Sequence, residues 1–75
     1  MKVFAIYDYG PDGIDHLWHV AATSAFQALT VLEESKRESD PKWRIYCFDV
    51  MLLEGVTCES EEPHIIEETL CRVDR

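Results

Sequence analysis

Apolar residues recur along the chain with two different periods, and the change from one to the other lays out the elements. From Val3 to Tyr9 they alternate: Val3, Ala5, Tyr7 and Tyr9 share one face, Phe4, Ile6 and Asp8 the other. Apolar side chains on both faces predict an interior strand. Ile14, His16, Trp18, Val20 and Ala22 alternate in the same way against Asp15, Leu17, His19 and Ala21, which predicts a second strand over 14–22. Between the two, Gly10-Pro11-Asp12-Gly13 reads as a tight turn. Proline presets its own φ and the glycines admit positive φ, so the strands should form an antiparallel hairpin.

The period then lengthens. Over Ser24 to about Glu38, residues Ala25, Ala28, Leu29 and Leu32 recur at helical spacing, and Phe26 and Val31 widen the stripe enough to pack on a sheet. Ser24 followed by Gln27 is a capping box, in which the serine hydroxyl accepts from the Gln27 N–H and the Gln27 side chain returns to the Ser24 backbone. Glu33 and Arg37 form an i,i+4 pair in the favourable order. Ser39-Asp40-Pro41 stops the helix, because proline has no amide hydrogen and biases Asp40 away from helical angles.

Trp43 to about Leu53 predicts a third strand. It is apolar on both faces and is expected beside the first, in the centre of the sheet, with Glu54-Gly55 as a bend after it. A fourth strand fits about Glu67–Val73, since Thr69 and Val73 are β-branched and a fourth strand completes a ββαββ layer pair. A short helix from Pro63, with Ile66, Leu70 and Val73 on one side, fits the same stretch. The expected fold class is α+β: a four-stranded, mainly antiparallel sheet with one helix packed across one face, a single domain over residues 1–75. Its expected core is Phe4, Ile6, Leu17, Phe26, Leu29, Leu32, Ile45 and Phe48.

Composition narrows the class. A chain that is 47% hydrophobic and 29% charged can bury a core, which argues against disorder. No apolar run reaches the roughly 18 residues that span a bilayer. Asp8 interrupts the first apolar stretch and no small-residue cleavage site follows, so no signal peptide and no membrane association are expected. Cys47, Cys58 and Cys71 are an odd number with no C-x-x-C spacing, which suits reduced thiols and a cytoplasmic location.

Charge separates along the chain. The formal net charge is −8, and from Glu54 to Glu68 there are six glutamates (Glu54, Glu59, Glu61, Glu62, Glu67, Glu68) with no lysine or arginine. Phosphate backbones require the opposite sign, so direct nucleic-acid binding is not expected. A run of this kind solvates a small protein, and it also suits docking on a basic partner surface.

Catalytic and metal chemistry find little support. His16 and His19 fall on opposite faces of one strand, where they cannot converge on a metal, and His16 should sit half-buried beside Trp18. Cys47 is expected to pack as a small hydrophobe. Cys58, His64 and Cys71 form a three-ligand set only if the last segments form a hairpin. Asp8, Asp12 and Asp15 around the first turn are oxygen ligands in type, but aspartate is a common turn residue. No Gly-rich phosphate loop, nucleophile elbow or HExxH is present. An enzyme is the less favoured reading.

In size, acidity and mixed α+β patterning the chain looks like small stand-alone inhibitor proteins, including bacteriophage-encoded inhibitors of host nucleases or of CRISPR surveillance complexes. The expected function is a small acidic protein-binding module, one form of which is an inhibitor docking on a basic, nucleic-acid-binding surface of a partner. Trp43 and Tyr46 are its expected anchors, and Glu54, Glu59, Glu61, Glu62, Glu67 and Glu68 steer it. No cofactor is expected. Tyr7, Trp18, Trp43, Tyr46 and Phe48 are too many aromatics for one helix to cover, so a homodimer through the uncovered sheet face or through edge strands is expected. The alternative is a metal-binding or redox protein using Cys58, His64 and Cys71.

Overall fold

The computed structural model describes residues 1–10 and 13–70, with the elements β1 (Lys2–Gly10), β2 (Gly13–Ala22), α1 (Ala25–Arg37), β3 (Phe48–Thr57) and β4 (His64–Leu70). This is the expected α+β, ββαββ arrangement. Every strand pairing is antiparallel and the order is β3-β1-β2-β4, so the β1–β2 hairpin forms the middle of the sheet. β3 lies beside β1 as expected, but at an edge rather than in the centre.

β3 also starts later than the apolar run suggests. The Trp43 N–H donates to the Asp40 carbonyl at 2.9 Å, and Arg37 Nε–H donates to the Trp43 carbonyl at 3.2 Å. These bonds clip the run to the end of the helix, and Trp43–Tyr46 is irregular instead of extended. Cys47, expected inside a strand, precedes β3 and is exposed. At its other end β3 continues past the expected bend. Leu52 pairs with Phe4 and Thr57 with Lys2, so residues 53–56 bulge opposite a single position of β1, and Gly55 supplies the bend at φ +77°.

The last described segment is strand, not helix, and begins at His64, three residues before the expected start. Pro11 and Asp12 of the expected turn, and Cys71 and Val73 of the expected strand, lie outside the described residues.

The helix cap forms with one change. The Gln27 N–H donates to Ser24 Oγ at 3.1 Å, but Gln27 Oε1 accepts from the N–H and hydroxyl of Thr23 (2.7 and 2.9 Å) rather than from Ser24. Arg37 reaches Glu33 at 2.6 Å, the expected i,i+4 pair.

One register step decides the core. Gly10 pairs with Gly13 and Tyr9 with Ile14, but Asp8 pairs with His16. Asp15 is therefore an extra residue, and the faces of all of β2 beyond it are turned over. Ile6 lies opposite Trp18 and Phe4 opposite Val20, where a regular ladder would have set Ile6 opposite Leu17. The buried cluster is Phe4, Ile6, Trp18, Val20, Ala22, Ala28 and Leu32, with Leu29, Val31, Trp43, Ile45, Val50 and Ile65 packed against it.

Three expected core members are displaced. Leu17 is on the opposite face, Phe48 is 37% exposed at the edge, and Phe26 is 80% exposed. At 100° per residue Phe26 stands about 160° round the helix from Ala28, which explains its exposure. Leu32→Ala should cost about 2–5 kcal/mol of stability. Phe26→Ser should change it by no more than about 0.5 kcal/mol. Urea unfolding midpoints measure both, and a large loss at Phe26 would contradict this helix orientation.

Candidate interaction surfaces

Trp18 is the side chain on which the separate elements converge. It is 2% exposed, and His16, two residues back on the same face, stacks on it with centroids 5.4 Å apart and planes 10° from parallel. Trp43, held by the helix-terminal loop, meets its edge at 6.1 Å and 87°. Lys36 comes from the last turn of α1, with Nζ 5.6 Å from the Trp18 ring centroid and 2.7 Å from Glu68 Oε2. Glu68 is there because it pairs directly with Trp18 across the β2–β4 ladder. Ala28, Leu32 and Lys36 are a continuous i,i+4 series, so the periodicity that marks the core-facing side of the helix also aims this lysine.

The charges in this cluster are matched. The Lys36 ammonium holds the Glu68 carboxyl below the usual glutamate range. Partial burial opposes this and the nearby Trp18 indole N–H assists it, although the buried Nε1 meets no acceptor in the geometry of a formed hydrogen bond. His16 Nδ1 lies 3.9 Å from Asp8 Oδ2, and on the opposite face His19 Nδ1 lies 3.6 Å from Glu67 Oε2. At the rim, Tyr9 donates its phenol to Asp49 at 2.6 Å, which raises the phenol above its ordinary range. These groups are engaged with one another, which suits a structural joint better than proton transfer.

The residues expected to contact a partner separate into groups. Trp43 is half-buried against Trp18, and Tyr46 is 86% exposed just before β3. Tyr46 lies toward the end of the sheet where Phe48 pairs with Asp8, and the Trp43 ring meets Trp18 at the level of Ile6. Glu54, Glu59, Glu61 and Glu62 are exposed toward the other end, where Thr57 pairs with Lys2 and His64 with Ala21. Six residues of β1 separate Asp8 from Lys2, about 20 Å. Glu67 and Glu68 are split by the pleat: Glu68 turns to the helix side and Lys36, Glu67 to the open face and His19.

Other candidates are dispersed. His16 and His19 occupy opposite faces, as their spacing requires. Cys58 and His64 flank the β3–β4 connection, while Cys71 lies outside the described residues. Among the described residues no three histidine, cysteine or acidic side chains gather as a metal site. No described helix is long and apolar enough to cross a membrane.

The chain matches no protein-family model, no curated protein and no solved structure. The face away from the helix carries buried Val3, Ala5 and Ala21 in its middle, overlooked by taller neighbours: Ala5 lies between His19 and Met51, and Tyr7 between Leu17 and Asp49. Such a face is part apolar and part charged.

The Glu68 shift has a sign that can be tested. A carboxyl whose folded pKa is lowered contributes stability above the unfolded pKa and loses it as pH falls through the folded one. In an NMR titration Glu68 should therefore titrate below the ordinary glutamate range, and Lys36→Met should move it back up toward that range. A Glu68 midpoint unmoved by Lys36→Met would remove the ion pair as the cause.

Proposed function

We propose that this protein is a small acidic protein-binding module that works through its surface and not through enclosed chemistry. The observation supporting the reading is the unpaired acidic end: among the described residues no ion pair engages Glu54, Glu59, Glu61 or Glu62. The bases of the described helix end and its loop, Lys36, Arg37, Lys42 and Arg44, lie toward the opposite end of the sheet. Lys2 is the base near the acids, and the Met1 ammonium there is occupied by the Cys58 carbonyl at 2.6 Å. A field of one sign accelerates encounter with a surface of the other and repels nucleic acid itself.

The partner fitting that field is a protein with a basic, nucleic-acid-binding surface, and covering it is a route to inhibition. The protein itself acts in the cytoplasm as a homodimer, with exposed Tyr46 and half-buried Trp43 as contact anchors. The metal or redox alternative would declare itself as stoichiometric zinc or iron in the purified protein.

Capture of a partner from the native cell extract should fall at least about tenfold when Glu59, Glu61 and Glu62 are all changed to lysine, and should weaken as salt rises. Capture unchanged by the reversal would rule out the acidic end as the steering surface.

A further inference from the structure

The two edges of the sheet are not equivalent. β4 carries the devices that discourage strand pairing: Glu67 and Glu68 side by side, Lys36 reaching over to Glu68, and a bulge at Ile66, since His19 pairs with Glu67 but Val20 with Ile65. β3 carries none of these between Phe48 and Leu52, where its register with β1 is regular and Asp49 is the single charge. Of the eight large apolar residues that are exposed among the described residues, five lie between Tyr46 and Val56: Tyr46, Phe48, Met51, Leu52 and Val56. The helix lies chiefly over β2 and β4, and on the helix side of β3 Trp43 and Ile45 pack against the core while Phe48 and Leu52 stay partly exposed.

Hydrogen-bond phase shows which backbone groups face outward. The Tyr9 N–H donates to the Cys47 carbonyl at 2.9 Å, and the β1–β3 register continues from that pair through Asp8–Phe48, Tyr7–Asp49, Ile6–Val50 and Ala5–Met51. Antiparallel ladders alternate bonded and non-bonded pairs, so Asp49 and Met51 turn their N–H and C=O toward β1. Phe48, Val50 and Leu52 turn theirs away from it. Among the described residues no strand pairs with that outer side.

We propose that β3 pairs antiparallel with β3 of a second copy of this chain about a two-fold axis through Val50, joining the two sheets into one of eight strands; this deepens the homodimer reading above by naming its surface. The register follows from the residues. With Val50 opposite the partner's Val50, Phe48 meets the partner's Leu52 and Leu52 the partner's Phe48, so every outward-facing backbone group in the regular stretch has a mate and every pair on that face is apolar. Centring the axis on Leu52 would set Val50 against the partner's Glu54 and run into the bulge at 53–56. The axis stands perpendicular to the sheet, so both helices lie on one side and the apolar strip of Phe48, Val50 and Leu52 runs between them.

Charge also selects a second copy at this edge. Residues 41–53 hold Lys42 and Arg44 against Asp49, a local net of +1 in a chain of net −8. Contact here brings together the least acidic parts of two like-charged molecules and keeps the acidic ends apart.

Sedimentation equilibrium of the chain alone, up to millimolar concentration, is expected to give twice the 8.7 kDa chain mass. Leu52→Lys, counted twice by the symmetry, should raise the dimer dissociation constant at least about 100-fold with unchanged circular dichroism. Val50→Pro is a second variant. It removes an N–H that points away from β1, and proline is tolerated at such edge positions, so the internal ladder survives while the dimer is lost.

Val50→Cys, with Cys47, Cys58 and Cys71 changed to serine, should be joined between the two chains by a short bismaleimide, since bonded antiparallel pairs sit about 5.5 Å apart, within reach of such a linker. A monomer at millimolar concentration, a dimer unmoved by both edge variants, or no cross-link at position 50 would each overturn the proposal. Because the mass is measured without a partner, its failure leaves acidic-end capture standing, and failed capture leaves the dimer standing.

Discussion

The extra residue in β2, Asp15, is the constraint from which the rest of the structure follows. A hairpin closed by Gly10 and Gly13 has strictly alternating partners, and one inserted residue exchanges its inner and outer faces. Without it Leu17 and His19 would face the helix, and Trp18 and Val20 would face outward. Burying an indole removes roughly 200 Å² from water, an upper bound near 5 kcal/mol at about 25 cal/mol per Å². A disrupted ladder hydrogen bond costs about 0.5–1.5 kcal/mol. The exchange favours the bulge by a wide margin even after the bound is discounted for a compact unfolded state.

Once Trp18 is inward, the placement of the helix follows. Lys36 is the last member of the Ala28–Leu32–Lys36 series, and its ammonium lies between the Trp18 ring and Glu68. A cation against an indole and a carboxylate at 2.7 Å ties the end of α1 to the β2–β4 side. Glu68 is still 43% exposed, so water screens the pair and its value lies in orientation more than in stability. The consequence appears on the far side of the sheet. A helix drawn toward β4 leaves β3 with Trp43 and Ile45 as cover, and Phe48 and Leu52 remain open.

The element order was legible in the sequence because it rests on local periodicity and punctuation. The alternation of Val3–Tyr9, the Ser24 cap and the Pro41 stop each act within a few residues. Most of the face membership was legible too: Phe4 with Ile6, and His16 with Trp18 and Val20, do travel together, but Ile14, read on the face of His16, pairs with Tyr9 and falls on the opposite face because Asp15 is inserted between them. Which face met which was not, because that depends on a register set across the hairpin, and no local signal distinguishes Asp15 as an inserted residue. β3 was misplaced for a related reason. Its apolar content on both faces suggested a central position, but the irregular Trp43–Tyr46 contributes its apolar groups from a loop, and Phe48, Met51 and Leu52 stay partly exposed at an edge. The partners of Glu68 lay beyond local reading as well, since Lys36 is 32 residues away.

Topology accounts for the form of the acidic end. With β3 and β4 on opposite edges, the connection between them has to pass the ends of both central strands, a distance of about 14 Å at the usual strand spacing. Residues 58–63 make that crossing and are held by backbone and small side-chain bonds. Cys58 exchanges hydrogen bonds with Met1, donating to its carbonyl at 2.8 Å and accepting from its ammonium at 2.6 Å. Ser60 Oγ accepts from the Glu62 N–H at 3.2 Å and donates to the Glu62 carbonyl at 3.0 Å. None of these bonds uses a glutamate side chain. Among the described residues the side chains of Glu59, Glu61 and Glu62 make none of the bonds that hold this crossing, so its shape rests on its backbone and its charge is free to vary. That separation lets one end of a small domain carry a strong field without the repulsion falling on its core.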